Sequence, residues 1–223
     1  MATANLAPAL GIRDEVAALK RERTIAAAVA LFYERGYENT TLEAVAERLG
    51  VTKPFIYAHF GSKADLLAEI CGRGIATSLD AINGVLELKA SPTAKLTALG
   101  RRFVTAVLAN QKPIAIFTRE EKNLEPKDFK RISDMRRDFD AKLTAILEAG
   151  IKSGEFRLTD SRIAALAIGG MVSWAYVWYR PGGRLTLDAV AAKMSELILA
   201  MAGASLAAPL DTARIKRVRA RAS

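Results

Sequence analysis

The stretch that decides the fold is residues 40–63, TTLEAVAERLGVTKPFIYAHFGSK. Within it, residues 42–49 carry apolar side chains at positions i, i+3, i+4 and i+7, which is the spacing of one face of an α-helix. Thr40 and Thr41 precede this helix and could both cap it. Gly50 follows where a helix ends most easily, because glycine adopts a positive φ without a Cβ clash. The stretch therefore predicts a short helix that ends in a tight turn.

A second short helix is predicted directly after the turn. Thr52 can cap it, and Pro54 is tolerated in its first turn because the backbone N–H groups there have no helical partners. Ile56 and Phe60 are four residues apart and so face back toward the first helix. The outer face is left with Lys53, Pro54, Tyr57 and Ala58. A short helix with a lysine, a tyrosine and a small residue outward suits the major groove of DNA.

Ordinary helical hairpins also contain a helix, a glycine turn and a helix, so the pair alone does not establish DNA binding. Two features favour it. The second helix is too polar on its outer side to be buried all round, and a third amphipathic helix precedes the pair. The apolar stripe of that helix contains Ile25, Ala28, Val29 and Phe32. Three short helices around one small core are the architecture of a helix-turn-helix domain.

Residues 23–67 resemble the N-terminal DNA-binding domain of the TetR/AcrR family of transcriptional regulators. The matching residues, at that family's spacing, are Ala27, Phe32, Gly36, Thr40, Ala46, Gly50, Val51, Tyr57, Phe60, Lys63 and Leu66. Pro54 departs from the pattern, since the family often has glycine or a small residue there, and this leaves the base preference open. The resemblance implies a homodimer that binds a near-palindromic double-stranded DNA operator.

The residues predicted to contact DNA are Thr40, Thr41, Thr52, Lys53, Pro54, Phe55, Tyr57, His59 and Lys63. Tyr57 and Lys63 are interpreted as phosphate contacts, with His59 a further candidate at the same edge. Lys53 is the candidate for base readout, since lysine reaches O6 and N7 of guanine. The alternative is that these side chains form only the solvated surface of a small helical bundle.

Composition favours an all-α protein. Apolar residues make up 51% of the 223 residues, alanine and leucine dominate, and there are 7 prolines. No uncharged apolar stretch reaches about 18 residues, and residues 1–10 lack the pattern of a secretory signal. The single cysteine, Cys71, excludes an internal disulfide and fits a reducing compartment. We therefore expect a cytoplasmic protein that does not associate with the membrane.

The net charge of +9 does not mark the DNA-binding region. Residues 1–70 contain 8 Lys and Arg against 9 Asp and Glu, a net charge of −1. Residues 71–203 contain 20 against 14, a net charge of +6, and residues 204–223 contain 5 against 1, a net charge of +4. Phosphate contacts are therefore expected from locally placed lysines and helix N-termini rather than from a broad basic field.

Four segments are expected along the chain: a disordered N-terminus over residues 1–13, a helix-turn-helix domain over 14–65, a helical ligand-binding and dimerisation domain over 66–203, and a basic tail over 204–223. In the larger domain, Thr159 or Asp160 is expected to cap a helix that runs to about Arg180. The last helix is expected over residues 187–201. These two helices should form a four-helix interface with their mates from a second copy.

The residue types needed for catalysis or metal binding are scarce. The chain has one histidine, His59, and one cysteine, Cys71, whereas a catalytic triad or a zinc site needs several such residues. No glycine-rich loop joins a strand to a helix, as a nucleotide site requires. The sequence therefore predicts no catalytic residue, no metal site and no cofactor, and Cys71 is interpreted as a small buried hydrophobe.

The larger domain carries an aromatic cluster of Trp174, Tyr176, Trp178 and Tyr179. Trp174 and Trp178 are four residues apart and share a helix face with Leu166 and Gly170. This face fits a helix–helix core or a dimer interface, and Trp178 fits ligand contact equally well. The pair Gly169 and Gly170 weakens a helix, which is understandable if another helix or a ligand approaches closely there.

Residues 110–200 are similar to the ligand domain of TetR-family regulators of fatty-acid and steroid catabolism. The matching stretches are GEFR at 154–157, Trp174, WYRPGG at 178–183, FTRE at 117–120 and residues 131–139. That subgroup senses acyl-CoA thioesters, so the resemblance implies an acyl-CoA effector. A coenzyme A ester is anionic at one end and apolar at the other, which agrees with a domain of net positive charge around an apolar core.

The residues predicted to bind the effector are Phe103, Val107, Phe117, Arg119, Met171, Trp174, Trp178 and Arg180. The acyl part is expected among the apolar side chains, and Arg119 and Arg180 are expected to hold the phosphates or the thioester end at the pocket mouth. Alternatively, Arg119 pairs with Glu120 or Glu121 on the surface, and the aromatic side chains are simply core.

These observations predict a ligand-responsive DNA-binding repressor that an acyl-CoA thioester releases from its operator. One alternative is the same dimer responding to a hydrophobic ligand without coenzyme A, such as a drug or an aromatic compound. A second is a DNA-binding dimer with a solid C-terminal core and no small ligand. A third is an enzyme acting on an acyl thioester, against which the lack of a nucleophile motif argues.

Overall fold

The computed structural model describes residues 11–204, and all the secondary structure in this range is helical, which confirms the predicted all-α class. The helices are α1 (Ile12–Arg35), α2 (Leu42–Leu49), α3 (Lys53–His59), α4 (Lys63–Leu86), α5 (Pro92–Ala109), α6 (Gln111–Glu120), α7 (Pro126–Ser153), α8 (Ser161–Ser173), α9 (Ala175–Trp178) and α10 (Leu187–Met201). A 3-10 turn at Glu121–Asn123 joins α6 to α7. Within residues 11–204, no helix combines the length and apolarity of a membrane span. The predicted basic tail and most of the predicted disordered N-terminus lie outside the described residues.

Side-chain caps begin several helices, and those of α2 and α8 are at residues where the sequence predicts them. The Thr41 hydroxyl accepts the N–H of Ala44 at 3.1 Å at the start of α2, and the Ser62 hydroxyl accepts the N–H of Asp65 at 3.0 Å at the start of α4. The Asp160 carboxylate caps α8 by accepting two backbone N–H groups at 2.9 Å. Each cap satisfies N–H groups that a helix N-terminus leaves without partners.

The helices enclose two apolar cores. The smaller core is built from α1, α2, α3 and the first half of α4, and Ile116 of α6 and Ile132 of α7 complete it. The larger core lies among α5, α7, α8, α10 and the second half of α4. Because Ile116 and Ile132 belong to the smaller core, the small domain rests directly on α6 and α7.

Helices α5 and α10 pack closely in the larger core. A Cβ at Gly100 would lie 3.0 Å from the Cα of Ser195, so only glycine allows the two helices to approach this closely.

The helix α4 belongs to both cores. Leu66 and Ile70 are fully buried in the smaller core, and Ile82 and Val85 are fully buried in the larger one. The predicted domain boundary at residues 65 and 66 falls in the first turn of this helix. A rigid helix of 24 residues thus connects the two domains without a flexible linker.

Two helix bounds differ from the prediction. Helix α1 begins at Ile12 rather than at Asp14, so the end of the predicted disordered segment is helical. The helix predicted to run to about Arg180 ends at Ser173. The N–H of Val177 bonds to the carbonyl of Trp174 at 3.0 Å, an i−3 bond that tightens the chain and separates α8 from the short α9.

Candidate DNA-binding face and effector pocket

The pair α2 and α3 has the geometry of a helix-turn-helix. Gly50 adopts a left-handed φ of 66°, and its N–H and that of Val51 bond back to carbonyls in the last turn of α2. Ile56 is fully buried and Phe60 is 3% exposed, so both anchor α3 in the small core as predicted. The opposite side of α3 therefore faces away from the protein.

Most of the side chains predicted to contact DNA lie on or beside that outer side. Those exposed are Thr41, Thr52, Lys53, Pro54 and Tyr57, and those half-buried are Phe55, His59 and Lys63. We call the outer side of α3, formed by Lys53, Pro54, Tyr57 and Ala58, the recognition face. Tyr57 is 45% exposed although it is a large aromatic residue, so its ring and hydroxyl are free to meet a partner surface.

An ion pair flanks the recognition face. The ammonium group of Lys53 pairs with the carboxylate of Glu43 on α2 and lies 5.6 Å from the centroid of the Tyr57 ring. The hydrogen bond to this ammonium lowers the pKa of Glu43 below its ordinary value, and the same bond raises the pKa of Lys53. Glu43 was absent from the predicted contacts, and as an acceptor beside the groove it suits the N4 amino group of cytosine.

Lys63 lies at the start of α4, beside the loop that joins α1 to α2. Its ammonium group donates to the carbonyl of Glu38 at 3.3 Å and lies 4.2 Å from the centroid of the Tyr37 ring. The N-terminus of α4 already carries a partial positive charge from its helix dipole. The lysine adds a full charge at the same place, which favours an anion such as a phosphate.

The structure corrects the role of Thr40. Its side chain is fully buried, and its hydroxyl donates to the carbonyl of Gly36 at 2.9 Å. The cap of α2 comes from Thr41 alone. Thr40 neither caps the helix nor presents its hydroxyl to DNA, because the turn between α1 and α2 folds over it.

The structure differs from the prediction at two further residues, Thr52 and His59. Thr52 is the N-cap residue of α3 but makes no side-chain capping bond, so the predicted cap is wrong. The ring of His59 packs on Phe55 with the centroids 4.8 Å apart, and its Nε2 is buried without a hydrogen-bond partner in the described part of the chain. The Nε2 atom of His59, which was expected to contact a phosphate, is therefore turned away from the recognition face.

A cavity of about 480 Å³ lies between α4, α5, α6, α7 and α8. Its wall is mostly apolar and includes Ile75, Phe103, Val107, Ile114, Phe117, Ile132, Phe139, Leu166 and Trp174. Cys71 is also in the wall, where burial raises the pKa of its thiol to about 12. The volume is that of a typical small-molecule site. We call this cavity the effector pocket.

The pocket contains half of the side chains predicted to bind the effector. Phe103, Val107, Phe117 and Trp174 line it. Met171 and Trp178 instead line a separate groove of about 230 Å³ beside α10. The sequence did not show which of the two openings each residue lines, because that depends on how the helices pack against one another.

The two arginines expected at the pocket mouth, Arg119 and Arg180, are elsewhere, so that prediction is wrong. The guanidinium of Arg119 lies 5.0 Å from the centroid of the Tyr33 ring and donates to the carbonyl of Ala115 at 3.2 Å. The guanidinium of Arg180 donates to the carbonyl of Val177 at 2.8 Å, which satisfies an acceptor at the end of α9.

The charged groups that do line the pocket include Arg136 and Asp140, one turn apart on α7. The guanidinium carbon of Arg136 lies 5.4 Å from the centroid of the Phe117 ring. Burial raises the pKa of the Asp140 carboxyl above its ordinary value, and the nearby charge of Arg136 partly opposes this. Both residues follow the buried Ile132 at helical spacing on α7, with Arg136 exposed and Asp140 half-buried, a pattern that could have revealed them in the sequence.

The glycine pair on α8 lines the pocket and makes no close contact with another helix within residues 11–204. A Cβ at Gly170 would meet nothing within 4 Å. A Cβ at Gly169 would lie 3.9 Å from the Oδ1 atom of Asp140. Gly170 shares its face with the exposed Leu166 and Trp174, so a ligand and a helix of a second copy both remain causes for the pair.

Helix α6 contacts both the pocket and the DNA-binding domain. Phe117 and Thr118 line the pocket. The carboxylate of Glu120 accepts the backbone N–H of Tyr37 at 3.3 Å, and Arg119 stacks on Tyr33 at the end of α1. Helix α6 therefore connects the pocket wall to the base of the helix-turn-helix.

An exposed apolar surface covers the outer sides of α8 and α10, and we call it the α8–α10 face. It consists of Ile163, Leu166, Trp174, Leu197 and Met201. Trp174 is 60% exposed and Leu197 is 54% exposed. Exposed apolar side chains grouped in this way are typical of protein interfaces. Leu166 and Trp174 also line the pocket, so the two features adjoin.

Two families match the chain over adjacent segments. Residues 25–70 match the family described as Bacterial regulatory proteins, tetR family. Residues 89–202 match the family described as Tetracyclin repressor-like, C-terminal domain. The first match contains the helix-turn-helix, and the second contains most of the pocket and the α8–α10 face.

Several characterised proteins are similar along most of the chain. The HTH-type transcriptional repressor KstR2 of Rhodococcus jostii is 32% identical over 81% of this chain and 89% of its own length. The fatty acid metabolism regulator protein of Bacillus subtilis is 27% identical over 81% of this chain and 94% of its own length. The crystal structure of AibR in complex with isovaleryl coenzyme A and operator DNA has a TM-score of 0.70 at 24% identity, covering 83% of this chain and 99% of AibR, and shows the shared fold.

Proposed function

The chain belongs to the TetR family of bacterial regulatory proteins, and on that premise we propose that it is a homodimeric transcriptional repressor that a small molecule releases from operator DNA. As a member of that family it is a DNA-binding regulator rather than an enzyme. The observation that carries the effector half of the proposal is a pocket of about 480 Å³ bounded by α6, the helix on which the DNA-binding domain rests. Its action belongs in the cytoplasm, where a bacterial operator lies.

The recognition face accounts for DNA binding. Lys53 and Tyr57 project from a short helix whose inner side is buried, so the helix can enter the major groove without unfolding the core. Lys63 at the N-terminus of α4 is placed to hold a phosphate. When Lys53 contacts DNA it exchanges its Glu43 partner for a base, which leaves that carboxylate at the groove edge to reject unsuitable bases.

The α8–α10 face accounts for dimerisation, because regulators of this family bind DNA as dimers. Leu197 and Met201 of one copy meet the same face of the other across a two-fold axis. The resulting four-helix contact fixes the distance between the two recognition faces. That distance must match the spacing of the two half-sites in the operator.

Helix α6 accounts for coupling between the pocket and DNA. A ligand that displaces Phe117 also moves Arg119 and Glu120, which hold α1 and the following loop. Release then requires that the ligand prefer the arrangement in which the recognition faces are wrongly spaced. Phe117, Arg119 and Glu120 are close together on α6, so this one helix connects the pocket to the DNA-binding domain.

We infer that the effector is an acyl-CoA thioester. The apolar wall around Phe103 and Phe139 suits an acyl group, and Arg136 supplies a positive charge beside it for the thioester or phosphate end. The similarity to a fatty acid metabolism regulator points to the same class of compound. Arg136 takes the role that the sequence analysis expected of Arg119 and Arg180.

The test is an operator-release titration. Near-palindromic DNA would first be selected from random fragments by the purified dimer, and the bound complex would then be titrated with decanoyl-CoA, decanoic acid and free coenzyme A. We expect decanoyl-CoA to release the DNA at micromolar concentration, and we expect decanoic acid and free coenzyme A to release it poorly. Equal action of the free acid would favour a hydrophobic ligand without coenzyme A. No release and no change in melting temperature with any acyl-CoA would reject the effector class.

A pair of variants tests the cation. Removing the charge with Arg136→Gln should raise the decanoyl-CoA concentration needed for release by about tenfold, the typical effect of losing one charge-assisted hydrogen bond. Arg180→Gln removes an equal charge outside the pocket and should leave the titration unchanged. If Arg180→Gln raised the required concentration and Arg136→Gln did not, the anion site would lie at the end of α9 instead.

A further inference from the structure

The effector pocket contains a carboxylate that an unsubstituted acyl chain would leave without a partner. We propose that the effector's acyl group carries a hydroxyl that pairs with Asp140, an inference that rests on the acyl-CoA function proposed above. Asp140 would then determine which acyl thioesters the repressor answers to.

The first support is the contrast with the other aspartates of α7. Asp128 pairs with Arg131, Asp134 pairs with Lys130 and Arg137, and Asp138 pairs with Lys142. Within residues 11–204, the carboxylate of Asp140 takes part in no ion pair and no side-chain hydrogen bond. It is the aspartate of this helix that faces the pocket, and its lack of a partner is therefore specific to the pocket.

The second support is its position. Asp140 follows the buried Phe139 and is half-buried itself, while Arg136, one turn earlier, is exposed. The carboxylate thus lies further inside the pocket than the guanidinium. It faces the part of α8 where Gly169 carries no side chain, so a ligand atom can approach Oδ1 at a normal contact distance.

The third support is the energetics of filling the pocket. A saturated chain that enters would displace solvent from the carboxylate and offer no hydrogen bond in return, which is unfavourable for a buried polar group and more so for a charge. A hydroxyl can both donate and accept. It can therefore pair with the carboxyl group in either protonation state, whereas a keto oxygen pairs only with the protonated acid.

The experiment uses the full-length dimer on its selected operator and a matched series of esters. The series comprises decanoyl-CoA and its derivatives with a hydroxyl at the β carbon, at mid-chain and at the terminal carbon, together with the corresponding keto compounds. The release midpoint of each ester is compared with that of decanoyl-CoA. We expect at least one hydroxy ester to act at about tenfold lower concentration than the saturated ester, as one hydrogen bond to a charged group implies.

Variants of Asp140 test whether this residue causes the preference for hydroxy esters. Asp140→Leu should abolish it by making the saturated ester act at lower concentration, and Asp140→Asn, which still hydrogen-bonds, should keep part of it. Asp138→Asn, a change on the solvent side of the same helix, should leave every midpoint unchanged. Each variant's melting temperature is measured, and if Asp140→Leu does not fold, Asp140→Asn alone decides between a reduced and an intact preference.

The outcomes separate the two proposals. If esters release the operator with no hydroxy preference, or if the preference survives in Asp140→Leu, the role of Asp140 is refuted and the acyl-CoA function stands. If keto esters act as well as hydroxy esters in the wild type, the choice of a hydroxyl is wrong. If no ester releases the operator, the proposed effector class fails and this inference fails with it.

Discussion

Replacement of Leu197 by glutamate should separate the dimer into monomers. Leu197 is on the α8–α10 face and is 54% exposed in one subunit, so it contributes its outer half to a partner and its inner half to its own helix packing. In a two-fold dimer the substitution occurs twice in the same interface. The variant therefore introduces two carboxylates into a largely apolar surface, in which Lys193, one turn earlier on α10, is the neighbouring cation.

The expected cost can be worked from this exposure. Fully burying a leucine side chain contributes about 1.5–3 kcal/mol, so losing the exposed half in both copies removes about 2 kcal/mol. Transfer of the carboxylate from water into this interface adds about 3 kcal/mol in each copy. The total of about 8 kcal/mol weakens association by roughly a factor of 10⁵ to 10⁶. Leu197→Ala removes only the apolar part, about 2 kcal/mol, and should weaken association about 30-fold.

Sedimentation velocity at micromolar concentration provides the assay. Leu197→Glu should sediment as a monomer with unchanged helical circular dichroism, and its affinity for the operator should fall because one subunit holds only one half-site. Leu88→Glu is a matched control, since Leu88 is 36% exposed in the turn after α4 and away from the α8–α10 face. A Leu197→Glu protein that remains dimeric would place the interface on another surface and refute the reasoning.

Four further outcomes are expected. Lys63→Ala should weaken binding to all DNA sequences about equally and reduce the slope of log affinity against log salt by about one per half-site, as measured by fluorescence anisotropy; an unchanged slope would remove this lysine from the phosphates. Lys53→Ala should instead relax the preference at particular base pairs in a binding-site selection, and an unaltered preference would exclude it from base readout. Glu120→Ala, which loses the contact to the Tyr37 N–H, should still bind the effector by tryptophan fluorescence but release DNA incompletely, whereas full release would exclude coupling through this contact. Because the pKa of Cys71 is raised to about 12, its thiol should stay protonated and label slowly with iodoacetamide at neutral pH until the protein unfolds; rapid labelling of the folded protein would contradict its burial.

The sequence alone was sufficient for the local structure. Apolar spacing, Gly50 and the caps at Thr41 and Asp160 predict helices that the structure contains, because these signals act within one or two turns. The inward direction of Ile56 and Phe60 followed from the same spacing, and with it the outward direction of the recognition face. The helix-turn-helix could therefore be recognised without coordinates.

The site required the tertiary structure wherever two distant elements meet. Thr40 and Thr41 are equivalent caps in the sequence, but only the fold of the α1–α2 turn buries one and exposes the other. Arg119 is on a helix that lines the pocket, yet its side chain leaves on the opposite face and stacks on Tyr33. Helical periodicity predicts which residues share a face of a helix, but it does not predict which other helix that face will contact.

For this protein, the sequence by itself determined the all-α class, the recognition face and the kind of domain that carries it. These three features follow from interactions between residues a few positions apart. Any chain with the same local pattern of apolar and capping residues would make those interactions. Only the tertiary structure decided that Arg136, Asp140 and Glu121, rather than Arg119 and Arg180, are the charged residues that line the pocket. That choice depends on how α4, α6, α7 and α8 pack around a shared cavity, and packing between helices is set by side chains far apart in the chain.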